Sequence, residues 1–344
     1  MKFLITGGTG FVGSYVVANL SRSGIPLTLL VRPASLQKAR EKFRDLKNVD
    51  LIAGDFGFSG ILQDVDEISQ LSKVTDLLHL GALYDLEASE TENYLTNVVG
   101  TQNLLDFSLQ LKNLKNFHHV STVAVAGSFN GNFKEDFLNV RQTFTNPYAQ
   151  TKFRAESLVS SWIAPHIRKR IYRLGVVVGD STTGQISRAD GPYYLFKSLK
   201  NHPSLWKTLS SLGVLPLPFD SLALIPLIPV DLAASNLTQM VASIRQPEVN
   251  QRTYNLVGSQ IPVKTILTRG LSEFGIQAKV AAAPKFLFPE KLLGFLGIPL
   301  SILDYMYTCI DFDQKNLRAD YPDLKEVKFE NFSEIFFRWA KNNL

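Results

Sequence analysis

Close to its start this chain turns abruptly from apolar to glycine-rich. Phe3-Leu4-Ile5 runs straight into Thr6-Gly7-Gly8-Thr9-Gly10-Phe11-Val12-Gly13, and an apolar-periodic stretch, Val12 to Leu20, follows. A short strand, a glycine loop and a helix in immediate succession leave few folds open. Glycine at 7 lets the backbone turn sharply. Glycine at 10 lets it approach a pyrophosphate closely, and glycine at 13 lets the helix pack on the strand, with the helix N-terminus facing the phosphates. The contact set expected for a dinucleotide is therefore Gly7, Thr9, Gly10, Phe11, Val12 and Gly13.

The same alternation continues. Apolar runs at Leu27–Val31, Val49–Ala53, Asp76–Leu80, Phe117–Val120 and Arg170–Val178 read as strands, with helical patterns between them. Strand and helix in alternation from residue 3 to about 178 predict a parallel, doubly wound α/β sheet. At 344 residues the chain is long for one compact core, so a smaller appended unit is expected. Composition changes after Gly179. Residues 181–191 are polar, 192–196 aromatic, and Leu212 to Pro229 apolar and rich in proline. The expected architecture is a Rossmann-type doubly wound parallel sheet with a smaller, mainly helical C-terminal substrate subdomain. Residues 1–180 form the dinucleotide-binding domain, 226–257 return to it, and 181–225 with 258–344 form the substrate-binding subdomain.

Groups at the C-terminal ends of such strands face the ligand crevice. After the second strand stands Arg32, with Ser35 and Lys38 close behind, where NAD-binding sheets carry an acid for the ribose hydroxyl. A guanidinium suits a 2′-phosphate, so NADP(H) is favoured over NAD(H). Asp55, just beyond the third strand, is placed to hydrogen-bond an adenine amino group. Small residues after the fourth strand, in Leu80-Gly81-Ala82, let the chain pass beneath a cofactor, while His79 reads as a buried, satisfied histidine. The fifth strand ends at Ser121-Thr122. Beyond it Tyr148 and Lys152 share one helix face, with Asn146 and Pro147 fitting the helix start. An ammonium beside a phenol lowers the phenol's pKa, and such a tyrosine can give or take a proton near neutral pH.

Several classes are disfavoured. Lys and Arg exceed Asp and Glu by 36 to 31, but no basic block interleaved with aromatics points to nucleic acid. One cysteine and no His-x-x-x-His spacing argue against a metal site. The N-terminal apolar run is too short for a signal peptide, and Leu292–Leu303 is too short to span a bilayer, so a soluble, cytoplasmic protein is expected. The apolar stretch 284–310 fits the core of a helical subdomain, a wall for a long-chain substrate, or a face in peripheral contact with a membrane.

Taken together, Thr6-Gly7-x-x-Gly10-x-x-Gly13, Gly54-Asp55, His79-Leu80-x-Ala82, Asn97-x-x-Gly100-Thr101, Ser121-Thr122 and Tyr148-x-x-x-Lys152 resemble the extended short-chain dehydrogenase/reductase superfamily over nearly the full length. Within it, His79-Leu80-Gly81-Ala82-Leu83-Tyr84-Asp85, Ser121 through Gly127 and Asp190-Gly191-Pro192-Tyr193-Tyr194 are most similar to fatty acyl-CoA reductases and thioester-reductase domains. Those proteins usually carry proline where this chain has Leu174, and the second reductase domain of the two-domain enzymes is absent. The resemblance implies that Arg32 holds the 2′-phosphate, that Asp55 and Phe56 flank the adenine, and that Leu80, Gly81, Ala82, Gly175 and Val176 border the cofactor. It implies Tyr148 as general acid, Lys152 as ribose ligand and modulator of Tyr148, and Thr122 as donor to the developing oxyanion, with Ser121 the second candidate. The implied reaction is NADPH-dependent reduction of an acyl thioester to aldehyde, or onward to alcohol. The alternative is another NAD(P)-dependent reaction of the superfamily, an epimerase or a hydroxysteroid- or flavonol-type dehydrogenase. A regulator without chemistry is disfavoured, because Tyr148 and Lys152 are both present.

Overall fold

The computed structural model describes residues 1–62, 67–84 and 88–344; Asp85 lies outside them. Its strands, in chain order, are β1 (Phe3–Thr6), β2 (Leu27–Val31), β3 (Val49–Ala53), β4 (Asp76–His79), β5 (Asn116–Thr122), β6 (Gly131–Phe133), β7 (Arg168–Leu174), β8 (Val176–Val178), β9 (Val214–Pro218), β10 (Leu224–Pro229), β11 (Gln251–Leu256), β12 (Ser259–Pro262), β13 (Lys279–Ala283) and β14 (Ile310–Phe312). Every residue of β1, β2 and β4 is buried, because helices cover both faces of the sheet they form.

That sheet has seven strands in the order β11-β7-β5-β4-β1-β2-β3, all paired in parallel. The chain winds from β1 outward to β3, then crosses back to place β4 on the other side of β1. The crevice at this reversal, outside the C-terminal strand ends, is where open α/β sheets hold their ligands. One face packs on helices Phe11–Arg22 and Val230–Ala242 through Val16, Val17, Leu20 and Leu237. The other packs on Gly100–Ser108 and Pro147–Ser161 through Leu104, Leu105 and Val159 over Leu4, Leu77 and Phe117.

A second core gathers Tyr193, Phe196, Trp206, Ile266, Phe336 and Phe337. Its helices include Tyr193–Asn201, Val263–Glu273 and the terminal Glu330–Asn343. This unit also carries two small sheets, β12-β10-β8 and β13-β9. The proline-rich stretch forms strands β9 and β10. Pro216 and Pro218 sit in β9, which among the described residues pairs with β13 alone, where an edge strand tolerates proline, while in β10 Pro226 stands opposite Gln260 of β12 and Pro229 opposite Val178 of β8.

One buried charge pair ties the sheet to the helix that carries Tyr148. Arg173 of β7 donates to Glu156 Oε1 from Nε at 2.9 Å and from Nη2 at 2.6 Å. Nη1 donates to the Glu135 carbonyl, 3.3 Å, and the guanidinium lies 5.2 Å from the Phe133 ring centre. Both side chains are 1% exposed. Removing one partner leaves the other charge buried alone, so Arg173→Ala is expected to cost about 3–5 kcal/mol. Urea unfolding measures it; a loss below about 1 kcal/mol, the range of an exposed pair, would contradict the linkage.

Candidate active site

The glycine loop is built as close backbone contact requires. Gly7 has φ +72°, the left-handed region, and a Cβ there would lie 2.5 Å from the Gly81 nitrogen. A Cβ on Gly13 would lie 2.2 Å from the Gly7 carbonyl oxygen, so the helix Phe11–Arg22 seats directly on the loop. Gly10 differs: a Cβ there would approach only the Gly7 oxygen, at 3.2 Å. It N-caps the helix without a side-chain cap, and no acid stands in the first turn. The first amides of a helix lack intrahelical partners, and among the described residues no side chain caps these.

Beneath the loop lies a buried polar layer. The Thr6 hydroxyl pairs with His79 Nδ1 at 2.7 Å, and His79 Nε2 with the Thr101 hydroxyl at 3.2 Å. Burial, with Lys152 nearby, holds His79 neutral, its pKa lowered to about 3, and His119 is held neutral in the same way. Asn97 sits in a π-helical turn, Tyr94–Val99. Its Oδ1 accepts from Leu83 N at 2.8 Å, and its Nδ2 donates to the Thr151 hydroxyl at 3.1 Å. It thereby clamps the segment after β4 to the Tyr148 helix.

That helix begins where the sequence places it. Asn146 caps it, accepting from Ala149 N at 2.9 Å, and Pro147 stands in its first turn. Tyr148 and Lys152 are both buried on its inner face. Burial raises the Tyr148 pKa, and a hydrogen bond with Thr122 only partly opposes this. Lys152 Nζ donates to the Val120 carbonyl at 3.0 Å, and burial lowers its pKa to about 8. The expectation that Lys152 lowers the Tyr148 pKa is thus corrected: desolvation dominates, and the ammonium is turned to a backbone carbonyl. The phenol is held as an acid.

Strand alternation separates Ser121 from Thr122. The Ser121 hydroxyl donates to Glu156 Oε2 at 2.5 Å, into the buried pair with Arg173. Thr122 meets Tyr148 and accepts from Ala124 N at 3.2 Å. Ser121 as an oxyanion donor is therefore corrected, its hydroxyl being committed elsewhere.

A cavity of about 810 Å³ connects these parts. Gly7, Gly10, Phe11, Val12, Gly13, Leu80 and Ala82 line it, together with Ser121, Thr122, Tyr148, Lys152, Gly175 and Val176. Gly81 is buried behind, where a Cβ would meet the Phe56 ring at 2.7 Å. The Phe56 side chain accordingly packs at the C-terminal end of the central strand β4, with its ring 5.3 Å from that of His79. Asp55 Oδ1 accepts from Gly57 N at 2.9 Å, and Thr9 and Arg32 are exposed. Its walls also include the apolar Trp206, Ile266, Phe288, Leu292, Leu296 and Ile302. The stretch 284–310 therefore lines the cavity, while Phe286 and Phe295 of the same stretch are exposed.

Three features escaped the sequence reading. Glu156 lies one helical turn beyond Lys152, a spacing that was there to be read. Lys42 lies one turn beyond Lys38 and donates to the Thr9 carbonyl at 3.1 Å, beside the glycine loop. Tyr305 arrives from the C-terminal unit with no sequence signal. Among the described residues no group of three or more His, Cys, Asp or Glu could hold a metal, and no helix is long and apolar enough to cross a membrane.

Residues 5–237 match the NAD-binding family described as male sterility protein. The chain belongs to this family. It is a member of the extended short-chain dehydrogenase/reductases, whose enzymes are NAD(P)-dependent. It is 30% identical over 208 residues to the nonribosomal peptide synthetase asaC of Aspergillus flavus, covering 54% of this chain but only 20% of the synthetase. It is 30% identical over 172 residues to a UDP-glucose 4-epimerase of Caenorhabditis elegans, covering 46% and 48% of the two chains. The terminal R domain of the myxalamid PKS-NRPS pathway superposes with a TM-score of 0.75 at 23% identity, over 98% of this chain and 89% of that one. At that identity the superposition establishes the fold.

The depressed Lys152 pKa has a stability consequence. Below about pH 8 both folded and unfolded chains carry its charge. Between about 8 and the ordinary 10.5 the folded chain binds fewer protons than the unfolded one, so stability rises with pH through this group. Urea unfolding of wild type and Lys152→Met at pH 7 and 9.5 is expected to show the difference shifting toward wild type at the higher pH. A pH-independent difference would contradict the buried ammonium.

Proposed function

We propose that this chain is an NADPH-dependent reductase of acyl thioesters that releases aldehyde and free thiol. The observation that carries this reading is the continuity of the cavity. The glycine loop, Tyr148 and apolar residues such as Trp206, Ile266, Leu292 and Leu296 line one and the same cavity, which supports a hydride site that adjoins room for an acyl chain. A nucleotide sugar would need polar partners for its hydroxyls, and the walls formed by 263–302 offer few.

The residues fit the cofactor. Gly10 leaves room where a side chain would stand, and the uncapped helix end presents amides to a pyrophosphate. Lys42 reaches the loop at the Thr9 carbonyl with Lys38 near it, and Arg32 stands exposed just after β2. Lys38 is near enough to help burial lower the Lys42 pKa, which favours an added phosphate there over a bare ribose. Asp55 and the backbone at Phe56 border the adenine, and Lys152 holds the nicotinamide ribose.

When bound, the cofactor supplies the hydride to the thioester carbon. Tyr148, kept protonated by burial, gives its proton to the carbonyl oxygen, and Thr122 supports the developing charge. The resulting hemithioacetal returns its hydroxyl proton to Tyr148 as the C–S bond breaks. The thiolate leaves and takes a proton from solvent.

The test is a panel of acyl-CoA chain lengths against a panel of nucleotide sugars, each with NADPH and NADH. Acyl-CoA turnover with NADPH is expected, falling about 10²- to 10⁴-fold in Tyr148→Phe. In Arg32→Ala the preference for NADPH should shrink by about tenfold or more, the loss of a charged hydrogen bond. Sugar turnover without acyl-CoA turnover would overturn the substrate class; an undiminished Tyr148→Phe would overturn the acid.

A further inference from the structure

Asn146 does two jobs with one amide. Its Oδ1 caps the Tyr148 helix by accepting from Ala149 N, and its Nδ2 donates to the Tyr305 hydroxyl at 3.0 Å. Tyr305 belongs to the short helix Leu300–Met306 of the C-terminal unit, 159 residues further along the chain. It packs in the small cluster of Ala124, Tyr148 and Ala149 and lines the cavity beside Tyr148. One side chain thus fixes where two phenols stand relative to each other.

The direction of that hydrogen bond matters. The amide nitrogen can only donate, so the Tyr305 oxygen accepts. Its own hydroxyl hydrogen has no acceptor among the described residues, and the ring sits in a cavity wall. Tyr305 is half-buried, and its hydroxyl donor is free to meet a ligand that enters the cavity.

We propose that Tyr305 is a second phenolic donor to the reacting oxygen of the substrate, held in place by Asn146 and supplied by the substrate-binding unit. This rests on the reading of the site as a carbonyl reductase. A carbonyl oxygen offers two lone pairs, and the alkoxide formed by hydride addition offers three. Tyr148 and Thr122 can fill the first two. Tyr305 finds its full partner only once the oxygen is tetrahedral, so its contribution goes to the transition state more than to substrate binding. Because the donor comes from the C-terminal unit, the set is complete only when that unit is seated on the Tyr148 helix.

Tyr305→Phe keeps the ring and removes the hydroxyl. Its kcat is expected to fall about 10- to 100-fold, toward the lower end of what one lost oxyanion donor costs, with KM and NADPH affinity little changed. Asn146→Asp keeps a good helix cap but cannot donate. Its carboxylate takes the Tyr305 hydrogen for itself, so a comparable kcat loss is expected, with thermal unfolding near that of wild type. The double variant should lose no more than either alone. Each protein is assayed with a long-chain acyl-CoA and with the corresponding aldehyde. Wild-type kcat in Tyr305→Phe on both substrates, or a change confined to KM, would overturn the proposal. Wild type that turns over aldehyde but not thioester would sink the thioester reading while the aldehyde kcat still decides on Tyr305. Turnover of neither would overturn both.

Discussion

At the C-terminal ends of β1 and β4 two stretches of backbone touch with no room for a side chain. Any Cβ on Gly7 would lie within 2.5–2.7 Å of Leu80 and Gly81, and one on Gly13 would strike the Gly7 carbonyl at 2.2 Å. This contact sets the depth of the crevice at the point where the sheet order reverses. It brings the first helix down onto the loop, so that its amide end faces the cleft. It also holds the chain after β4 flat beneath the space a cofactor takes. The rest of the site is placed relative to that floor.

Above the floor, burial sets protonation more than pairing does. His79 and His119 are neutral because they are sealed in, which keeps further positive charge away from Lys152. Lys152 itself is weakened as a cation by desolvation, and the nearby Glu156 opposes this. Tyr148 is pushed toward its acid form by the same cause. A protonated phenol and a weakened ammonium follow from one physical effect acting on two neighbouring side chains. The Arg173–Glu156 pair absorbs the Ser121 hydroxyl and leaves Thr122 as the one facing Tyr148.

Local signals carried much of this. The glycine spacing, the strand alternation and the Asn146-Pro147 helix start are short-range, and the sheet, the loop and the Tyr148 helix were legible from them. What stayed hidden depends on burial or on distant contacts. That Tyr148 is raised and not lowered comes from desolvation, which spacing on a helix does not reveal. The roles of Ser121 and Thr122 were separable only once the facing of β5 was known. The small sheets of the C-terminal unit had no signal in a stretch that read only as apolar and rich in proline, and Tyr305 reaches the site through a tertiary contact alone. The stretch 284–310 read as core, wall or surface; its structure divides these between faces, Leu296 and Ile302 lining the cavity and Phe286 lying exposed.

The central claim is that one cavity brings an acyl thioester carbon to the hydride position beside Tyr148. Isotope transfer tests this most directly. NADPH carrying deuterium at the transferable position is incubated with an acyl-CoA under single turnover, and the product is analysed by mass spectrometry alongside released thiol. The account expects one deuterium on the aldehyde carbon and free thiol in equal amount. Thiol release without deuterium in the product would mean hydrolysis, and would contradict it.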